Sequence, residues 1–170
     1  MPPNPTFSGS SSKLRDAHAE ITKWFFEDYL QHYIAAVDST DDHSFIGDYW
    51  GAPLWVGTDA HPVILLPKRE DVVAWFKTTF DRLQAAGYSH TAVLDRRMIL
   101  FHEHGAAIDV IWSRQRENKS EIERLAVHFI IARGADGLRI VSIEAAATQE
   151  SALDGVWPIH RIEKDDPFPS

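Results

Sequence analysis

The chain contains no cysteine in its 170 residues. This absence excludes disulfide bonds, a thiolate nucleophile and any metal site built on cysteine. The sequence also lacks an apolar run near the roughly 18 residues of a membrane span. Its first segment, MPPNPTFSGSSS, has no apolar stretch of the kind that marks a signal peptide. We therefore expect a cytoplasmic protein with no membrane partner.

Basic side chains are in deficit, with 17 Lys and Arg against 25 Asp and Glu and a formal net charge of −8. Nucleic acids and anionic membranes are bound through a basic surface, so we expect neither as a partner. The chain also lacks glycine-rich nucleotide-binding loops, the HExxH zinc motif and the GxSxG nucleophile motif. No cofactor and no metal ion are therefore predicted.

The composition that remains is that of one globular domain, with 44% hydrophobic and 25% charged residues. Residues 1–12 are rich in Pro, Ser and Gly and predict a disordered leader. Residues 148–170 mix charges with prolines and predict an irregular C-terminal tail. The apolar side chains of Trp157, Ile159 and Ile162 can dock part of this tail on the domain. The folded unit is therefore expected over residues 13–147.

Helical periodicity comes first along the chain. A helix is predicted over Leu14–Ser39 and a second over Glu70–Ala86, with short strands between them at Leu54–Gly57 and Val63–Leu66. In the first helix, a spacing of about 100° per residue places one set of side chains, together with Asp28, on a single face. That set is Leu14, His18, Ile21, Phe25, Tyr29, His32 and Ala36.

From Ser89 onward the period changes to two, which predicts an antiparallel meander. Its four strands are His90–Phe101, Ala106–Arg116, Arg124–Ala132 and Leu138–Ala146. Helices followed by a meander make an α+β fold. A long curved sheet of this kind can wrap around the helices and close a cone.

The turn at Asn118–Lys119 sets the register of the middle hairpin. It places Trp112, Val110 and Ile108 opposite Leu125, Val127 and Phe129, respectively. These residues form an apolar face, which Val141 and Ile143 extend. We expect this face to pack against the helices. The other face mixes polar and apolar side chains, and we predict that it forms a homodimer interface. Its members include Asp109, Ile111, His128 and Ile140.

Five stretches of the chain resemble the NTF2-like superfamily, in the branch near the SnoaL-like polyketide cyclases and ketosteroid-isomerase-like proteins. They are Trp24–Tyr29 (WFFEDY), Ala52–Gly57 (APLWVG), Leu83–Tyr88 (LQAAGY), Ala106–Trp112 (AAIDVIW) and Asp136–Val141 (DGLRIV). The resemblance covers Lys13–Ala146 and implies a cone enclosing a pocket, with dimerisation through the outer face of the sheet. The isomerases of this superfamily use an acidic base with Tyr and Asp donors, and that set has no residue-by-residue match here.

Asp28 and His32 are the candidate catalytic pair. Being four residues apart on a helix, they are neighbours on the face expected to line the cone. A carboxylate that orients an imidazole makes a base for proton transfer. The alternatives are a structural buried ion pair, or an edge of the face that meets solvent. The aromatic side chains expected to line the pocket are Tyr29, Trp50, Trp55, Trp75 and Trp112.

Two further histidine groups have competing interpretations. Asp109 and His128 pair across strands, and are expected at the dimer interface; with the register reversed they would line the pocket beside Ser142 and Glu144. His102 and His104 form an HxH motif in a turn, which lacks a third metal ligand and is therefore expected to be solvated.

Two functions follow from these residues. The first is a cofactor-independent isomerase, dehydratase or cyclase that acts by proton transfer on a small apolar molecule. The second is a non-catalytic module that binds such a molecule or serves as a dimeric scaffold. An enclosed pocket with Asp28 or His32 at its wall would favour the first.

Overall fold

The computed structural model describes residues 11–39 and 43–157 and confirms the α+β fold. Its helical segments are α1 (Ser11–Lys23), a π-helical turn (Trp24–Tyr29), α2 (Leu30–Asp38) and α3 (Arg69–Ala85). Its strands are β1 (Trp50–Thr58), β2 (His61–Leu66), β3 (Tyr88–His102), β4 (Gly105–Arg116), β5 (Glu121–Gly134) and β6 (Gly137–Ala147). Short 3₁₀ turns lie at Ser44–Asp48 and Leu153–Gly155. None of the helices described is both long and apolar enough to cross a membrane.

Several sequence predictions concern the ends of the chain and the loop after the first helices. Residues 1–10 of the leader, residues 40–42 of the polar break, and Ile159 and Ile162 of the tail lie outside the described residues. Ser11, the first described residue, already belongs to α1, so the helix begins before the predicted Leu14.

The first helical segment does not keep the predicted face along its whole length. Ile21, Phe25, Tyr29 and Ala36 are buried as expected, whereas His18 is exposed. Beyond the turn at Trp24–Tyr29, Leu30, Tyr33 and Val37 are also buried and His32 is exposed. The cause is the π-helical turn, which inserts one residue into the α-helical repeat. The inward-facing positions therefore shift by one residue, and Tyr33 occupies the position predicted for His32.

Helix α3 packs on the same core through Val72, Phe76, Phe80 and Leu83. The Asp71 carboxylate accepts a hydrogen bond from the Lys68 backbone N–H at 3.1 Å, which satisfies one of the free donors at the start of the helix. Gly87, with φ of 77°, ends the helix as predicted.

The six strands form one sheet in the order β2-β1-β6-β5-β4-β3. Strands β1 and β6 are parallel, and the other neighbours are antiparallel. The predicted register of the middle hairpin is confirmed, since Trp112 pairs with Leu125, and Asp109 with His128. The inner face, which includes Ile108, packs against the helices.

Ile140 of β6 lies on the other face from that predicted, and Val141, expected to extend the inner face, is not part of the inner core. Ile130 pairs with Ser142 and Ile131 pairs with Ile140, so Val141 is an extra residue that forms a β-bulge. The bulge reverses the alternation along β6. As a result Ile140 is fully buried in the inner core, and its predicted place at an outer dimer interface is wrong.

The tail covers one end of the outer face. Leu153, Val156 and Trp157 pack on Ile111 and Ala126, and both of these sheet residues are fully buried. The Leu153 backbone N–H donates a hydrogen bond of 2.8 Å to the Asp95 carboxylate on β3. Ile111 therefore faces outward as predicted, but this chain's own tail occupies the surface above it.

Candidate ligand cavity

A cavity of about 350 Å³ lies between the inner face of the sheet and the helices. Its largest wall is aromatic and includes Trp50, Phe76, Trp112 and Phe129. The rings of Trp50 and Phe76 have centroids 4.6 Å apart, and those of Trp112 and Phe129 are 6.2 Å apart. These contacts hold the rings in place around the open space, so the cavity is a preformed feature of the core.

One end of the cavity is polar, although it continues the apolar face of the sheet. Thr91, Arg114 and Glu123 are paired across β3, β4 and β5, so they form one row on the inner face. Arg82 reaches this row from α3, and Tyr33 from α2. We call these five residues the polar end.

Glu123 is the centre of the polar end. It accepts one hydrogen bond of 2.5 Å from Arg114 Nη1 and two, of 2.9 and 3.0 Å, from Arg82. Burial by itself raises the pKa of Glu123, but the hydrogen bonds from Arg82 and the charge of Arg114 outweigh it, and the pKa is lowered. Glu123 is therefore an ionised ion-pair partner rather than a proton donor.

Two tyrosines complete this end of the cavity. Tyr33 Oη accepts a hydrogen bond of 3.0 Å from Arg114 Nη2. Burial raises the pKa of Tyr33, and it raises that of Tyr29 well above the usual range despite the opposing charge of Arg114. Both hydroxyls therefore stay protonated near neutral pH.

Two buried hydrogen-bond donors on this wall are unsatisfied. Trp50 Nε1 and Arg114 Nε meet no acceptor at hydrogen-bond geometry within the described part of the chain. Trp50 is only 3% exposed; its indole N–H is close enough to the Tyr29 hydroxyl to lower the pKa of that group, without bonding to it. A buried donor without a partner costs about 1–3 kcal/mol, so two in one cavity call for an explanation.

The β1–β2 hairpin supplies another carboxylate and an imidazole. Asp59 lines the cavity from the turn of this hairpin and His61 from the first position of β2, and both are exposed to solvent. Asp59 Oδ2 accepts a hydrogen bond of 3.0 Å from the Ala147 backbone N–H, which fixes the turn against the end of β6.

The opposite face of the sheet carries a separate charged cluster. Asp109, whose side chain is only 4% exposed, accepts hydrogen bonds of 2.6 Å from Arg97 Nε and 2.5 Å from His128 Nδ1. Burial raises the pKa of Asp109, but these two hydrogen bonds outweigh it and the pKa is lowered. Glu144 on β6 lies opposite His128 in the strand register, so the row of charged residues extends across the outer face.

A family model described as NTF2-like protein (DUF6841) matches residues 19–148. The chain belongs to this NTF2-like family. The match covers the last part of α1, the other helices, the whole sheet and every element that lines the cavity. No curated protein matched the sequence.

Solved structures agree with this NTF2-like fold. Aln2 from a Streptomyces species has a TM-score of 0.59 at 11% identity, covering 78% of this chain and 91% of that chain. The yeast UBP3-associated protein BRE5 has a TM-score of 0.54 at 14% identity, covering 76% and 98%. An NTF2-like protein with a cystatin-like fold from Novosphingobium aromaticivorans has a TM-score of 0.51 at 15% identity, covering 82% and 92%. At these identities the likeness is one of fold.

In this NTF2-like protein, four of the five aromatic residues expected at the pocket line the cavity: Tyr29, Trp50, Trp75 and Trp112. Trp55 does not. It pairs with Ser142 on the outer face of the sheet and is 52% exposed, because it alternates with the buried inner residues Leu54 and Val56 along β1.

Asp28 and His32 are neighbours, as predicted, but they lie on the outer surface and away from the cavity. His32 Nδ1 is 3.1 Å from Asp28 Oδ1 and 2.9 Å from Tyr49 Oη, and the two side chains are 53% and 49% exposed. Their predicted placement on the inner face is wrong, because the π-helical turn rotates them outward. The second alternative, an edge that meets solvent, describes them better.

The remaining histidines of interest also face outward. His128 lies beside Asp109 on the outer face, so the reversed register that would bring it into the cavity is excluded. His102 and His104 are exposed at the end of β3 and in the turn that follows. Across the described residues, no three His, Asp or Glu side chains group as metal ligands.

Arg114, Glu123 and Arg82 were missed by the sequence prediction. The signal for two of them was present in the register, since Trp112 opposite Leu125 implies Arg114 opposite Glu123 two residues further along. Their contact with Arg82 of α3 carries no such signal, because it depends on how the helix packs across the sheet.

Proposed function

We propose that this NTF2-like protein binds a small, largely apolar molecule in the cavity between its sheet and helices. The supporting observation is the cavity of about 350 Å³ with an aromatic wall. Protein interiors seldom leave a void larger than a water molecule, whereas small-molecule sites measure about 300–1,000 Å³. A space of this size therefore favours a ligand site over a packing defect.

A fragment screen tests this proposal. Apolar aromatic compounds of about 10–15 heavy atoms are added to the protein, and binding is followed by ligand-observed NMR. Ala145 lines the cavity from β6, so Ala145→Phe fills part of the space and is expected to abolish binding of the hits. Ala146→Phe places the same side chain on the outer face and serves as the control. The proposal fails if no fragment binds, or if both variants bind the hits equally.

Proton transfer on the bound molecule is the second candidate function. Asp59 and His61 support it, since they bring a carboxylate and an imidazole to the cavity, whereas Asp28 and His32 lie outside it. The hits of the same screen are incubated with the protein in D₂O. Deuterium entering a carbon position of the ligand, and its loss in His61→Ala, would support catalysis; its absence for every hit would leave a binding module.

We also propose that the protein forms a homodimer through the outer face of the sheet. A row of outward-facing residues crosses all six strands through successive pairs. This row, the apolar row, consists of Leu65, Trp55, Ser142, Ile130, Ala107 and Ile99. Trp55, Leu65 and Ile99 are 45–52% exposed, which is unusual for large apolar side chains on one sheet face. The interface proposed from the sequence therefore moves away from Ile111 and Ile140 to this row.

A further inference from the structure

We infer that the ligand carries a carboxylate, and that this group binds at the wall formed by Arg114, Trp50, Tyr29 and Tyr33. The inference rests on the proposed ligand-binding function and extends it by naming the chemical class of the ligand. That class is a small aromatic or alicyclic acid, with its ring against the aromatic wall and its carboxylate toward the polar end.

The first argument is the excess of donors over acceptors. Trp50 Nε1 and Arg114 Nε are buried donors with no acceptor among the described residues, and both side chains line the cavity. Tyr33 already accepts from Arg114, and its own O–H hydrogen remains as a further donor. A wall of donors is satisfied by a ligand group that only accepts hydrogen bonds, and an ionised carboxylate is such a group.

These donors belong to one contiguous patch. The Tyr29 ring lies 5.9 Å from that of Trp50 and 6.0 Å from that of Tyr33, measured between centroids. The Arg114 guanidinium carbon lies 5.6 Å from the centre of the Tyr33 ring. Trp50 and Arg114 are therefore linked through the two tyrosines along a single stretch of the cavity wall.

The second argument is charge. The polar end holds two guanidinium groups, Arg82 and Arg114, against the single carboxylate of Glu123. Tyr33 stays neutral there, because burial raises its pKa. Asp59, the other carboxylate at the cavity, lies on the β1–β2 turn, is exposed to water and is hydrogen-bonded to Ala147. Both arginines share the single carboxylate of Glu123, so the polar end carries a net charge of +1.

The burial of Arg114 makes that charge effective. Its side chain is only 12% exposed, so water screens it weakly, whereas the Arg82 side chain is 53% exposed. Glu123 is already engaged in three hydrogen bonds with the two arginines, which leaves it little capacity to receive a cationic ligand. Hydrogen bonds between charged groups are stronger than neutral ones, so an anion gains most from this site.

A matched pair of probes tests the inference. 2-Naphthoate and 2-naphthamide share one ring system and a similar shape, but only the first is charged at neutral pH. Isothermal titration calorimetry on the full chain is expected to show naphthoate binding about tenfold more tightly than the amide. Arg114→Gln is expected to remove most of this preference. Lys77→Gln, which removes an exposed positive charge of α3 outside the cavity, is expected to keep it.

Trp50→Phe provides a second variant, because it keeps an aromatic ring and removes only the indole N–H. It is expected to weaken naphthoate binding severalfold, and thermal unfolding confirms that each variant is folded. Equal binding of the two probes, unaffected by Arg114→Gln or Trp50→Phe, would overturn the carboxylate and leave the ligand-binding proposal intact. If neither probe binds to the unmodified protein, the carboxylate inference fails, and the fragment screen decides the ligand-binding proposal separately.

Discussion

Asp109 is the buried ionisable residue on which the outer face of the sheet depends. Its carboxylate, 4% exposed, is held between Arg97 and His128. Removing the charge leaves two partners without their acceptor, which in buried pairs costs more than the net value of the pair. The partners are 33% and 35% exposed, so solvent lessens the loss.

Asp109→Asn is expected to lower the free energy of unfolding by about 2 kcal/mol at pH 7. The folded-state pKa of Asp109 lies below the ordinary value of 3.8, so its contribution is fully present above that pH and is lost as the pH falls through the folded pKa. The variant should therefore lose less stability between pH 5 and acid than the unmodified protein. Urea unfolding across this pH range measures both effects.

Asp48→Asn is the matched control for this prediction. Asp48 also pairs with an arginine, Arg69 at 3.0 Å, but its side chain is 66% exposed. An exposed pair of this kind contributes little, and the control should change the unfolding free energy by less than about 1 kcal/mol. Equal losses in the two variants would contradict the structural role assigned to Asp109. The pKa values of Glu121 and Glu123 are also lowered, so the stability of the Asp109→Asn variant still falls in acid, but by less than that of the unmodified protein.

At the scale of elements, the π-helical turn determines which side chains of the first helical segment reach the cavity. The turn adds one residue to the repeat, and Tyr33 faces inward as a result, in the position that a regular helix would give to His32. Removing the extra residue should restore a regular α-helix with both flanks in their present orientation. Removing a residue outside the turn should instead rotate everything that follows by about 100°.

A pair of single-residue deletions tests this account. Deleting Glu27, an exposed residue in the turn, is expected to change the free energy of unfolding by less than about 1 kcal/mol. Deleting Gln31, an exposed residue of α2, should turn Tyr33 and Val37 out of the core and cost at least about 3 kcal/mol. Urea unfolding compares the two. A deletion of Glu27 that is as damaging as that of Gln31 would contradict the one-residue insertion.

At the scale of the whole molecule, the two faces of the sheet differ in what covers them. The inner face and the helices enclose the proposed ligand site, while the outer face is covered by the tail at one end and bears the apolar row at the other. The charged cluster of Asp109, His128 and Arg97 separates these two regions. A partner on the apolar row would therefore not displace the tail residues that cover Ile111.

Homodimerisation predicts a specific response to charge on the apolar row. Trp55→Glu and Ile99→Glu place a carboxylate at two exposed positions of the row and should convert a dimer into a monomer, because burying an unpaired charge is costly. Leu94→Glu, at a 37% exposed position outside the row, should leave the dimer intact. Multi-angle light scattering at about 100 μM protein measures the mass. A monomeric unmodified protein, or a dimer that tolerates both substitutions, would overturn the proposal.

Much of this fold was predictable because it depends on local patterns. The period-two alternation and the turn at Asn118–Lys119 identified the β4–β5 register, including the Asp109–His128 pair. The same register implies that Arg114 faces Glu123, so two of the five residues of the polar end could be predicted from the sequence. The resemblance in loose motifs also agreed with the family.

Two of the wrongly assigned faces each result from one inserted residue. The π-helical turn moved Asp28 and His32 to the surface, and the bulge at Val141 moved Ile140 into the core. An insertion of this kind breaks a repeat without changing composition, so periodicity alone does not locate it. Trp55 was misplaced for a different reason: it was assigned to the pocket as an aromatic residue, without regard to alternation along β1.

The sequence by itself determined the order of helices and strands, the central register and the absence of thiol chemistry. Each of these follows from residue types or from interactions between near neighbours in the chain. Only the tertiary structure decided which residues meet at the cavity. Arg82 and Tyr33 come from different helices and reach Arg114 and Glu123 across the sheet, and Leu153 returns to cover Ile111. Such contacts depend on packing between segments that are distant in the chain. A shift of one residue in the register of either segment replaces the contacting side chain with its neighbour.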